Sequence, residues 1–186
     1  MKYSTSEFKN GLKVIINNEP YTIVENTFEK PGKGQAFTRI KVKNLLNGKV
    51  LEKTYKSGQS IEAADVHEQS MTYLYQEGDM YCFMDESSYE QIEVNSDIIG
   101  ENKLWLLEQN TCQVLFWNQQ AVSITPENFI TADIIECEPN VKGDTVSGGA
   151  KNATISTGAV IRVPLFIKLG EIIKVDTRTG EYVSRA

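Results

Sequence analysis

Glu29-Lys30-Pro31-Gly32-Lys33-Gly34-Gln35-Ala36-Phe37 leads straight into Thr38-Arg39-Ile40-Lys41-Val42-Lys43. The second run alternates. Phe37, Arg39, Lys41 and Lys43 fall on one face of a strand, and Thr38, Ile40 and Val42 fall on the other. Tyr21-Thr22-Ile23-Val24 reads as a strand before the first run. Between the two, Pro31 fixes one backbone angle and has no amide proton to donate. Gly32 and Gly34 permit the left-handed angles of a sharp reversal. Lys33 lies between glycines, so neither neighbour shields it. The residues alone leave two readings: an exposed lysine in a plain turn, or a primary amine held at the end of a hairpin. A phosphate-binding loop is excluded, because its lysine is followed by Ser or Thr and a helix. A dinucleotide fingerprint is excluded by the missing third glycine.

The hairpin pattern repeats along the chain. Leu12-Lys13-Val14-Ile15-Ile16, a turn at Asn17-Asn18-Glu19-Pro20 and the strand from Tyr21 form one hairpin. A strand over residues 36–46 reverses at Asn47-Gly48, a two-residue hairpin signal, into a strand over 49–56. Four or five short strands in the first 64 residues predict a small barrel. Strands follow at 66–75, 80–84 and 89–94. Asn95 or Ser96 then caps a short helix carrying Ile98, Ile99, Leu104 and Leu107. A hairpin over 112–117 and 121–124 turns at Asn118-Gln119-Gln120. Strand, helix and strand in this order fit an oligonucleotide/oligosaccharide-binding (OB) barrel. Beyond Pro126, strands are expected at 129–136, 153–156, 159–163, 172–175 and 182–184, with a Gly-rich loop over 139–151. The expected domains are 1–64, 65–126 and 127–186.

Charge divides along the same lines. The chain has 186 residues and net charge −6. Residues 1–64 carry +5, residues 65–126 carry −10 and residues 127–186 carry −1. A polyanion is drawn to the first third and repelled by the second. His67 is the only histidine, which excludes a Ser–His–Asp triad and a His-rich metal site. Cys82, Cys112 and Cys137 are an odd, scattered set, read as small packed thiols in a reducing cytoplasm. The carboxylates of the middle third read as a solvated acidic face. A hydrolase built on them is the remote alternative. No apolar run approaches the roughly 18 residues of a membrane span, and Met1-Lys2-Tyr3-Ser4-Thr5-Ser6-Glu7 lacks a signal-peptide core.

Lys30-Pro31-Gly32-Lys33-Gly34-Gln35-Ala36-Phe37 resembles the modified-lysine loop of the elongation factor P family. Further likeness lies in Pro20-Tyr21, Glu52-Lys53-Thr54-Tyr55-Lys56-Ser57, Ala64-Asp65-Val66 and Thr72-Tyr73-Leu74-Tyr75. It continues in Gly143-Asp144-Thr145, Thr157-Gly158-Ala159-Val160, Val163-Pro164-Leu165-Phe166 and the tail from Ile173 to Arg185. The resemblance implies an all-β chain of three small barrels, KOW/SH3-like then two OB folds, with a tRNA-like outline. It implies a monomeric, non-enzymatic cytoplasmic factor without a cofactor and without a membrane partner. Such a factor binds both ribosomal subunits between the P and E sites, touching peptidyl-tRNA and E-site mRNA, and relieves stalling at consecutive prolines. A ligase is then expected to attach a β-lysyl-type group to Lys33. Lys30, Pro31, Gly32, Gly34 and Gln35 form the tip around it. Arg39, Lys41, Lys43, Tyr182 and Arg185 are the implied tRNA or rRNA contacts. Gly143, Asp144 and Thr145 are the implied E-site codon loop. Asn152 stands where relatives often have proline and is expected to loosen that loop. An elongation-factor-P-like paralogue, or an OB-fold protein binding RNA elsewhere without catalysis, is the alternative.

Overall fold

Two asparagines make the first reversal. Asn17 and Asn18 both hold left-handed backbone, with φ of 50° and 62°, the geometry of a tight hairpin turn. They join β2 (Lys13–Ile16) to β3 (Glu19–Glu29), so β3 begins at Glu19 opposite Ile16, two residues earlier than expected. Asn118 and Gln119 (φ 50° and 65°) repeat the device between β10 (Thr111–Trp117) and β11 (Gln120–Pro126). The computed structural model describes residues 1–140 and 149–186.

The first sheet also contains β1 (Lys2–Ser4), β4 (Phe37–Asn44), β5 (Val50–Lys56) and β6 (Ser60–Ala63). Its order is β1-β6-β2-β3-β4-β5. β1 and β6 were not expected, because strands this short show no alternation. Phe8, Val14, Ile16, Tyr21, Ile23, Ile40, Val42 and Ile61 fill its core. Phe8 meets Tyr55 edge-on, with centroids 5.5 Å apart.

The Asn47-Gly48 turn is corrected. β4 stops at Asn44, and the amide of Asn44 pairs with the carbonyl of Lys49 across a longer loop. The buried Asn44 side chain dictates this. Its Oδ1 accepts from the amides of Leu46 (2.8 Å) and Asn47 (3.2 Å), and its Nδ2 donates to Glu19 (2.6 Å). A local side-chain cap has displaced the two-residue turn.

The second sheet is ordered β11-β10-β7-β8-β9, with β7 (Val66–Glu77), β8 (Met80–Met84) and β9 (Gln91–Asn95). Asn95 accepts from the amide of Asp97 at 2.9 Å and caps α1 (Ser96–Ile99). Gly100, at φ 55°, ends α1, and a 3₁₀ turn over Gly100–Trp105 follows. The single helix expected through Leu107 is therefore two short turns. The third sheet contains β12 (Phe129–Cys137), β13 (Ala150–Ile155), β14 (Val160–Pro164), β15 (Ile172–Asp176) and β16 (Glu181–Arg185). It is ordered β14-β13-β12-β15-β16 around Ile130, Ile134, Ile155, Ile161, Val163, Ile167, Ile173 and Val175. The architecture is all-β, as expected.

By contacts the chain divides into two compact units, residues 1–69 with 115–123 and residues 70–114 with 124–186. All three cysteines are free. Cys82 and Cys112 are buried and Cys137 is half-buried. Burial, aided by Glu127, pushes the Cys112 thiol up to about 12, so it stays protonated and unreactive at neutral pH. Among the described residues no helix is long and apolar enough to cross a membrane.

Asn44→Ala leaves the amides of Leu46 and Asn47 without their side-chain acceptor and removes the shorter of the two bonds to Glu19. It should lower unfolding free energy in urea by about 1–3 kcal/mol. An unchanged midpoint would mean that Asn44 does not set the β4–β5 reversal.

Candidate functional site

β3 and β4 pair from Tyr21 opposite Asn44 out to Glu29 opposite Phe37, with a bulge between Ile23 and Glu25. The outer half of β3, residues 25–29, was not expected as strand. Its Glu-Asn-Thr-Phe-Glu is polar and shows no apolar alternation, but β4 is strongly alternating and carries it. With β5 paired along the other side of β4, a three-stranded arm results, and residues 30–36 close the β3–β4 end of it.

The loop is tied on one leg only. The amide of Ser57, just past β5, donates to the carbonyl of Ala36 at 2.9 Å. Gln35 Nε2 donates back to the carbonyl of Ser57 at 3.3 Å. Gln35 is thus an anchor, though it is exposed like Lys30, Pro31, Gly32, Lys33 and Gly34 before it. Gly34 alone of the two loop glycines takes a positive φ, +112°, and a Cβ there would touch only Pro31 Cγ at 3.9 Å. Gly32 needs no left-handed angle and has open space around it, which corrects the reading that both glycines serve the reversal in the same way. Lys33 projects from this apex with no ion pair among the described residues.

In the stem below, both cations are paired, and the carboxylates outnumber them by one. Lys41 lies between Glu25 on β3 and Glu52 on β5. Its Nζ donates to Glu25 at 2.7 Å, and that bond raises the lysine above its ordinary range. Arg39 reaches Glu29 at 3.6 Å and Glu52 at 3.4 Å. These five charges and Thr27 line a shallow cleft of about 150 Å³. Two of the expected RNA contacts, Arg39 and Lys41, are therefore already paired. Lys43 sits one row further from the tip, opposite Thr22 and Val50, and has no carboxylate partner among the described residues. Lys56 is not among the implied RNA contacts. It stands opposite Phe37 at the foot of the loop. The β4–β5 alternation, followed to its end, would have placed it there.

The remaining candidates lie in the other unit or outside the description. Gly143, Asp144 and Thr145 are outside the described residues. Nearby, Glu138 accepts from the amide (2.9 Å) and Nδ2 (3.1 Å) of Asn152, and these bonds hold its carboxyl below the usual range. A proline at 152 could make neither bond, so Asn152 fastens its strand to Glu138, while the loop it was expected to loosen lies outside the described residues. Tyr182 packs against the core of the third sheet. Arg185 bonds Glu171 (3.1 Å) and the carbonyl of Phe166 (3.3 Å) and lies over the Phe166 ring. His67 stacks on Phe116, with centroids 5.0 Å apart. Among the described residues no group of three His, Cys, Asp or Glu could hold a metal ion.

Three family models match consecutive segments of the chain. The elongation factor P KOW-like domain covers residues 4–61, the elongation factor P OB domain covers 66–124, and the elongation factor P C-terminal model covers 130–185. Two solved structures share the fold. Eukaryotic translation initiation factor 5A from Methanococcus jannaschii is 24% identical, with 68% of this chain and 92% of that one covered and a TM-score of 0.53. A translation initiation factor eif-5a family protein from Naegleria fowleri is 17% identical, with 67% and 97% covered and a TM-score of 0.54.

A chain of KOW-like and OB domains matched along its length by elongation factor P models falls in a class of translation factors that are not enzymes and need no cofactor, unlike translation factors that hydrolyse nucleotides. It belongs to the elongation factor P family. Membership makes it a translation elongation factor and implies the ribosome as partner.

The two glycines separate experimentally. Gly34→Ala places a Cβ at a left-handed angle and should cost about 1–3 kcal/mol of local stability. It should also speed amide exchange at Ser57, whereas Gly32→Ala should leave both unchanged. Equal effects would contradict the loop geometry.

Proposed function

We propose that this factor acts on the ribosome between the P and E sites and speeds peptide bonds at consecutive prolines through a modified Lys33. The observation that supports this most is a primary amine without a carboxylate partner among the described residues, at the apex of a hairpin anchored on one leg by Ser57.

Proline removes a backbone donor and restricts the chain, so a Pro-Pro end sits poorly for attack. A misplacement of about 1 Å costs roughly a hundredfold in rate. The factor supplies no acid or base. It holds the end of the peptidyl-tRNA in a reactive pose and so lowers the entropic part of the barrier. A narrow, cationic tip can enter an RNA-lined cavity where a broader one cannot. A β-lysyl-type group, attached to Lys33 by a dedicated ligase, lengthens the reach and adds a second amine.

Lys30 and Lys43 are the direct backbone contacts in this reading. Arg39 and Lys41 take part by exchanging Glu25, Glu29 and Glu52 for phosphates. Tyr182 and Arg185 face the small subunit and tRNA, and Gly143, Asp144 and Thr145 meet the E-site codon. The domains are 1–64, 65–126 and 127–186, and the factor works as a cytoplasmic monomer.

Synthesis through a Pro-Pro-Pro run in a purified translation system tests the reading. Protein from the native host should relieve the stall, and Lys33→Ala should not, while still binding ribosomes. Equal rescue by both would place the working group elsewhere. For the stem, Lys43→Ala breaks no ion pair and should lower the slope of log affinity against log salt by about one. Charge reversal at Arg39 and Lys41 should also weaken ribosome binding, and unchanged binding would count against their role.

A further inference from the structure

The third sheet carries an exposed aromatic ring beside two cations, far along the chain from the tip. Phe129 opens β12 and is 41% exposed. Lys174 Nζ lies 4.9 Å from its ring centroid, and the guanidinium carbon of Arg178 lies 5.3 Å away.

Arg178 is held before any ligand arrives. Its Nε donates to Asp176 Oδ1 at 3.0 Å, its Nη2 to Oδ2 at 2.7 Å, and its backbone amide to Oδ1 at 2.9 Å. The turn itself is pinned. Thr177 Oγ1 donates to the carbonyl of Glu127 at 2.6 Å, and its amide donates to that of Asn128 at 2.9 Å. Asp176 compensates Arg178, and Lys174 has no ion pair among the described residues. The cluster therefore keeps one uncompensated positive charge.

Fold stability does not account for this grouping. An exposed cation–π contact contributes little to stability, and Phe129, 41% exposed, is not among the buried residues of the core. The chemistry matches an unpaired nucleotide. A flat ring and a fixed planar guanidinium offer stacking surfaces, and an ammonium beside them offers a phosphate partner. An acidic peptide would use the cations and leave the ring idle.

We propose that Phe129, Lys174 and Arg178 form a binding site for single-stranded RNA, with a base stacked on Phe129 and the adjoining phosphate on Lys174. The inference rests on the ribosomal reading above for the source of that RNA, although the site can be examined without the ribosome.

Phe129→Trp turns the site into its own reporter. The full-length variant is titrated with an unstructured oligouridine RNA, and its emission is compared with that of the unsubstituted protein. A saturable quench specific to Phe129→Trp is expected. Phe129→Leu should weaken oligouridine binding about tenfold, with an unchanged melting temperature as the folding control. Lys174→Ala should reduce the salt slope by about one. A flat titration, native-like binding by Phe129→Leu, or an equal quench by a poly-glutamate peptide would overturn the site while leaving the ribosomal reading intact. Failure of the unsubstituted protein to bind ribosomes would overturn that reading instead, and the site would still be decided by the oligouridine titration.

Discussion

The antiparallel pairing of β3 with β4 is the constraint on which the candidate site depends. It runs without a gap from the bulge at Ile23/Glu25 to Glu29 opposite Phe37, so the apex inherits its position from a backbone ladder and not from its own side chains. The Ser57 bonds to Ala36 and Gln35 then fix one leg of the loop to β5's end. What remains free is short, and Pro31 and Gly34 narrow its choices further. A presented lysine needs this. A long flexible loop would lose more entropy on entering a cavity than one ammonium could recover.

Electrostatics sharpen the same point. The +5 of the first 64 residues suggests a uniformly basic face, but Glu25, Glu29 and Glu52 neutralise the stem where Arg39 and Lys41 stand. Among the described residues, positive charge without an ion-pair partner is left at Lys30 and Lys33 above and Lys43 below. Exposed pairs of this kind contribute little to stability, about 0–1 kcal/mol each, and exchange partners at small cost. Their larger effect is to keep the stem from attracting RNA indiscriminately and to leave the tip as the stronger attractor.

Much of the fold was legible because its strands alternate. Phe37 to Lys43 showed its buried and exposed faces directly, and Met80 to Met84 matched β8 at both ends. What was missed has physical reasons. The strand over residues 25–29 is polar and exists through its partner. β1 and β6 are too short for a period to show. The Asn44 cap displaced the Asn47-Gly48 turn through a buried hydrogen-bond set that only the folded neighbourhood creates. At the site, Lys33 and its glycines could be read from sequence. The pairing of Arg39 and Lys41 with carboxylates from two other strands could not, since it needs cross-strand register on both sides of β4. The Phe129 cluster was invisible for the same reason, because its ring and its cations come from different strands.

Lys33, chemically extended in the native host, is the working group proposed for this chain. Peptide mapping by tandem mass spectrometry of the protein purified from that host tests it most directly. A single added mass of β-lysyl type is expected on Lys33, with Lys30 and Lys56 unmodified. An unextended Lys33, or the added mass on another lysine, would contradict it.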